Sequence, residues 1–266
     1  MSGEMGCVTF GDAVAALPVA APVREVPAGL DPRPLVILTS LSPNPARAAV
    51  QWPAIASWRA AGGQVRSMNH PAEITALAAV YDVEFVPCLK TTYGHFIPYT
   101  EVYAHLREVA GQSLFINSDI VLRLTPAQLA GFAAGCRDGL GMLVRYNHDG
   151  DERVAAREPY GIDGWLLDPH RFTLPDAFLA VGRPAGDYWF PAEHLKQGLP
   201  LYTNADPVVF HLRHPQAWDA DLWATGAAEL CRLHDPGAAG SPAGQAALTQ
   251  RLHAAFEAAP RLRVLP

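Results

Sequence analysis

The sequence predicts an α/β domain built on a mainly parallel sheet covered by helices on both faces. Three observations point there. Short apolar runs rich in β-branched residues recur along the chain, stretches with helical spacing separate them through its first half, and Gly, Pro and hydroxyl residues punctuate the boundaries. Strands alternating with helices of this size imply right-handed crossovers, and such crossovers make neighbouring strands parallel.

Residues 1–33 are mostly Ala, Val, Pro and Gly with few charges and no sustained period, and read as an extended arm. Residues 35–40 (LVILTS) form the first buried strand, followed by a loop and a helix from 46 to 61 that Gly62-Gly63 stops. A second strand follows at 64–69. Pro71 opens a helix over 71–80 with Glu73 near its positive end. Residues 82–88 give a third strand, 99–110 (YTEVYAHLREVA) a helix, and 113–124 (SLFINSDIVLRL) the fourth strand. Thr125-Pro126 is a helix start, with Thr as N-cap and Pro in the first turn, and that helix runs to about residue 137. Residues 140–146 and 162–167 read as strands, and the acidic stretch 147–159 between them as a mobile loop on the active face. Residues 207–212 are the last strand, and 220–266 a helical segment packed on the same domain.

Composition bounds the function. The chain has 266 residues, 50% of them hydrophobic and 17% charged, which suits a globular domain with a sizeable core. Its formal net charge of -6 supplies no general basic field, so nucleic acid is not an expected partner. Cys7, Cys88, Cys136 and Cys231 are far apart with no CxxC, which excludes a zinc ribbon and reads as reduced thiols in a cytoplasmic protein. No apolar run reaches the length that crosses a bilayer.

The fourth strand carries the sharpest chemical signal. Its apolar run is interrupted by Asn117, Ser118 and Asp119, and a carboxylate in a buried strand needs a hydrogen-bonding network or a metal ion to stay ionised. Ligands of open α/β sheets bind at the C-terminal ends of the strands, which is where this triplet falls. Residue type alone also fits a strand-end cap.

Taken together, VILTS, KTTYGHFIPYTEVYAHL leading into LFINSDIVL, then YGIDGWLLDP, GRPAGDYWF and VVFHLRHPQAW resemble the GT-A-fold glycosyltransferases, the nucleotide-diphospho-sugar transferase group. The resemblance covers about residues 35–218 and implies a GT-A-like mixed, mainly parallel sheet over 34–219. It implies a hexosyltransferase-type enzyme that takes a nucleotide-diphosphate sugar donor to an unidentified acceptor, a saccharide being one class, with Mn²⁺ or Mg²⁺ as cofactor. Asp119 takes the place of the family's metal-binding Asp, although the motif reads Asn-Ser-Asp and lacks one carboxylate. Asn117, Ser118, Thr39, Ser40 and Arg183 are the implied donor-binding residues, with Arg183 against diphosphate charge. His211 is the implied second metal ligand; His214 is three residues on, and strand alternation would point the two rings to opposite faces. Asp187 is the implied catalytic base of an inverting transfer and Asp163 the runner-up. Each has a plainer reading: a core histidine for His211, a helix N-cap for Asp187. Trp165, Tyr188 and Trp189 are a saccharide platform or simply packing, and the acidic loop is a lid. Two other readings stand beside this one. One is a non-catalytic nucleotide- or sugar-binding domain; the other is a nucleotidyltransferase, which SLSPNPARAAV disfavours for want of a glycine-rich basic loop.

Overall fold

The computed structural model describes residues 21–29, 34–92, 94–109, 111–214 and 220–265. Its centre is one mixed, mainly parallel sheet flanked by helices on both faces, the α/β arrangement expected from the sequence. In chain order the strands are β1 (Val23–Val26), β2 (Val36–Thr39), β3 (Gln64–Asn69), β4 (Glu84–Pro87), β5 (Ser113–Ile116), β6 (Ile120–Leu122), β7 (Leu140–His148), β8 (Ala156–Leu167), β9 (Leu201–Asn204), β10 (Val209–Leu212) and β11 (Arg261–Val264). The helices are α1 (Ala48–Ala60), α2 (Pro71–Ala78), α3 (Tyr99–Leu106), α4 (Pro126–Gly135), α5 (Trp189–Lys196), α6 (Ala220–His234) and α7 (Pro242–Ala258). The strand order is β1-β11-β9-β7-β8-β5-β2-β3-β4, with β10 joined to β7 and β6. β8 is antiparallel to both β5 and β7, and β10 is antiparallel to β6; the other pairs are parallel.

Strand alternation sorts the interior into two cores. Leu38, Phe115, Met142, Trp165 and Leu167 point to one face, where α3, α5, α6 and α7 cover them with Tyr99, Trp189, Phe190, Leu230 and Leu252. Ile37, Leu114, Ile116, Leu143 and Leu166 point to the other, under Ile55 and Trp58 of α1, Leu77 of α2 and Phe132 of α4. Both faces are apolar because both are buried, so these strands read as continuous hydrophobic runs.

Several sequence expectations need correction. The run 113–124 is not one strand: it breaks at a turn over Ser118 and Asp119, and β6 leaves β5 to pair with β10. The stretch 147–159 is not a mobile loop, since β7 continues to His148 and β8 begins at Ala156. The short connection is tied down as well, with Arg123 donating to Glu152 at 2.6 and 2.9 Å and Arg153 pairing with Asp151. Within 1–33, residues 1–20 and 30–33 lie outside the described residues, but Val23–Val26 is a sheet strand paired with β11. Ladder hydrogen bonds outweigh local composition at both places.

Candidate active site

Two bulges in the β7–β8 ladder prepare the site. Leu143 pairs with Gly164 and Val144 with Ile162, which leaves Asp163 as an extra residue in β8. A bulge of this kind re-aims a side chain and bends the strand. The nearby glycines let side chains of the facing strand pack closely: a Cβ on Gly161 would stand 2.7 Å from Arg145 Nε, and one on Gly164 2.9 Å from Leu143 Cδ1. The disrupted backbone at Val144 is repaired by Asn204, whose Oδ1 accepts from Val144 N at 2.7 Å and whose Nδ2 donates to Val144 O at 3.1 Å. The re-aimed carboxylate of Asp163 accepts from Asn117 Nδ2 at 2.7 Å and from Arg145 Nη1 at 3.0 Å. Asn117 N also donates to Asp163 O at 2.8 Å, so the polar triplet is anchored to β8 at its first residue.

Beyond that anchor the chain turns and presents Asp119. His211 reaches it from the end of β10 (Nε2 to Asp119 Oδ2 3.6 Å) and His214 from just beyond (3.1 Å), while the two imidazole Nε2 atoms lie 3.2 Å apart. The expectation that the two rings would diverge fails because β10 ends at Leu212, after which strand alternation no longer applies. Arg47, in the short 3-10 turn before α1, forms an ion pair with the same Asp119 oxygen. Although burial works against the charged form, hydrogen bonds from His211 and His214 and the Arg47 charge hold the Asp119 carboxyl well below the usual carboxylate range.

These three side chains fit a divalent cation. Their ligand atoms lie within 4.8 Å of one another and comprise two imidazole nitrogens and one carboxylate oxygen, a set better suited to Mn²⁺ than to Mg²⁺. His211 Nδ1 donates to Asn147 Oδ1 at 2.9 Å, which turns Nε2 toward Asp119, the outer-shell arrangement typical of metal-binding histidine.

Asp187 sits on a different segment. The chain passes Gly182 (φ 75°), Ala185 in the left-handed region (φ 63°) and Gly186 into a 3-10 turn at Gly186–Tyr188, and α5 begins at Trp189. Gly186 is needed there because a Cβ would stand 2.4 Å from Tyr99 Cε2. That closeness lets Tyr99 Oη donate to Asp187 Oδ1 at 3.2 Å. Asp187 is not the N-cap of α5, a position that Tyr188 holds. Burial first, and then the negative charge of Asp163, push the Asp187 carboxyl up to about 7, against the Tyr99 hydrogen bond and the Arg145 charge.

No protein-family model matches the sequence, and neither does any curated protein. Among solved structures, the crystal structure of S. aureus TarS 1-349 in complex with UDP-GlcNAc is similar with TM-score 0.49 and 10% identity, over 82% of this chain and 69% of that one. The same TarS segment in complex with UDP gives TM-score 0.42 and 7% identity, over 83% of this chain and 70% of that one. What this site can do is carried by its own side chains.

The other sequence candidates fall into distinct places. Ser118 Oγ lies 3.2 Å from the amide of Gln51, which, with its oxygen toward Ser118 and Ser42 N, also donates to Tyr81 Oη. Thr39 is fully buried at the end of β2 and Ser40 half-buried beside it. The loop that follows is pinned by Ser67 and Asn69, which hydrogen-bond Leu41 N at 3.0 Å and Leu41 O at 2.8 Å. Arg183 lays its guanidinium over the Phe96 ring, 4.1 Å from the centroid. Trp165 and Trp189 are fully buried and Tyr188 is 7% exposed, so the expected saccharide platform is core packing. Arg47, Tyr99, Arg145 and Asn147 were not legible as site residues. The only advance signal was the pair of glycines around Asp163, which marks a bulge in a strand.

Among the described residues no helix is long and apolar enough to cross a membrane. Cys88, Cys136 and Cys231 are free and buried, and Cys7 lies outside the described residues.

Proposed function

We propose that this chain is a glycosyltransferase of hexosyl type that moves a sugar from a nucleotide diphosphate to the hydroxyl of an acceptor, with inversion at C1. One observation carries the reading: Asp119 is gathered with His211 and His214 into a set of ligand atoms within 4.8 Å of one another and held as an anion, while Asp187, hydrogen-bonded by Tyr99, is pushed up to about 7. Pairs of acids pushed apart in this way divide electrostatic and proton-transfer work between them.

Asp119, His211 and His214 would hold the divalent cation, whose chemistry is to neutralise the charge that develops on the departing diphosphate. Asn117 and Ser118 face the donor, with Asn117 oriented by Asp163. The acceptor oxygen attacks C1, the C1–O bond to the diphosphate breaks with its electron pair leaving on the phosphate oxygen, and Asp187 Oδ2 takes the acceptor proton. Tyr99 holds the other oxygen of Asp187 and keeps the base aimed. Its own hydroxyl is pushed well above the usual range by burial and by Asp187, so it stays a donor. Asp163, committed to Arg145 and Asn117, orients its neighbours in this scheme and is not the base.

The test is direct. The protein is incubated with UDP- and GDP-sugars and Mn²⁺, and release of the nucleoside diphosphate is followed, since transferases leak sugar to water. Turnover that Asp119→Ala removes supports the reading. Nucleotide binding with no release from any donor supports a binding domain and overturns it.

A further inference from the structure

Arg47 Nη2, His211 Nε2 and His214 Nε2 converge on a single atom, Asp119 Oδ2. A divalent cation placed among Asp119, His211 and His214 would stand beside a guanidinium that already holds the same oxygen. Two cations on one carboxylate repel, and the repulsion is strong where the acid is only 11% exposed. Something must take one of them.

Arg47 is the one free to leave. It is 27% exposed, on a long side chain, and it caps α1, whose first turn carries Gln51 against Ser118. The guanidinium therefore stands where a helix N-terminus and the Asn117–Asp119 turn face each other, a geometry suited to phosphate oxygens. On the glycosyltransferase reading, the group that arrives there is a diphosphate, which offers Arg47 the bidentate anion it gives up on releasing Asp119.

We infer that Arg47 is an exchangeable counter-ion, paired with Asp119 when donor is absent and with the donor diphosphate when the cation occupies Asp119. The exchange makes cation and donor bind as a coupled pair. Coupling of this kind is reciprocal, so the nucleotide must tighten the metal by the factor with which the metal tightens the nucleotide.

The experiment titrates Mn²⁺ into the full chain, reading free Mn²⁺ by electron paramagnetic resonance, alone and with saturating UDP or GDP. Wild type is expected to bind Mn²⁺ weakly alone and roughly 10-fold more tightly with the diphosphate it recognises. Arg47→Gln removes the competing charge: Mn²⁺ alone binds about 5-fold more tightly and the enhancement shrinks to within about 2-fold. Arg47→Lys keeps the charge and retains the enhancement; melting curves of both variants confirm folding. If Arg47→Gln leaves Mn²⁺ affinity unchanged or weaker, with the enhancement intact, the exchange is overturned while the transferase reading stands. If wild type binds no Mn²⁺ with or without either nucleotide, the metal-assisted reading fails and the exchange with it.

Discussion

Asp119 and Asp187 are both aspartates at the ends of buried segments, yet their surroundings drive them in opposite directions. Around Asp119 stand one guanidinium, from Arg47, and two imidazoles, from His211 and His214. Among the described residues Asp187 has one hydrogen-bonding neighbour, the Tyr99 hydroxyl, and feels opposed charges, the carboxylate of Asp163 and, more weakly, the guanidinium of Arg145. Burial pushes both upward, so the difference lies in what each acid was given as a partner. The acid held by three nitrogen donors is fixed as an anion and suits a ligand; the one beside a second carboxylate keeps its proton to about neutral pH and suits proton transfer.

The contrast can be broken most sharply at Asp187. Asp187→Asn is expected to lower kcat by about 10²–10⁴-fold, and the rise of the wild-type rate with a midpoint near pH 7 should vanish from initial rates taken between pH 5.5 and 9. A surviving midpoint would place the base elsewhere. Asp119→Ala should cost about 10²–10³-fold in transfer and abolish Mn²⁺ binding, measured by the same assay and by titration. Next in size is Asn147→Ala, which frees the His211 ring and should weaken Mn²⁺ binding by about 10–100-fold without unfolding the chain.

Stability sharpens the comparison by sign. At pH values below the ordinary carboxyl value of 3.8, folded and unfolded chains both keep the Asp187 proton; between there and about 7 the unfolded chain loses it and the folded one retains it. Wild type should therefore lose stability across that window, and Asp187→Asn should gain about 2–4 kcal/mol relative to it above pH 7, seen in urea melts. Asp119 has the opposite sign: its stabilisation is full above the ordinary value and is lost as pH falls through the depressed one. The smallest expected effect is at Ala185, whose left-handed backbone disfavours a side chain; Ala185→Gly should raise stability by roughly 0.5–1 kcal/mol.

How far the sequence could be read depends on whether the cause was local. VILT, SLFI and LGMLV announce strands because both faces are buried, and Thr125-Pro126 announces α4, whose capping box with Gln128 is present. Asp119 was legible because a carboxylate next to such a run demands a partner. The partners were not: Arg47 lies 72 residues away in sequence and His214 lies 95, and only the folded sheet brings them in. β8 was read short because AREPYG lacks an apolar run, and its pairing is supplied by β7. Asn-Ser-Asp inside an apolar stretch is turn chemistry, and weighing it more heavily would have split β5 from β6.

β11 lies between β1 and β9, and β1 has no other strand partner among the described residues. Gly131 of α4 leans on the same region, where a Cβ would come within 2.4 Å of Pro27 O. Trimming the chain back to Ala259 would thus undock two sequence-distant ribbons in one step and uncover the α4 surface beneath them. A protease that nicks near one end of this molecule loosens the other.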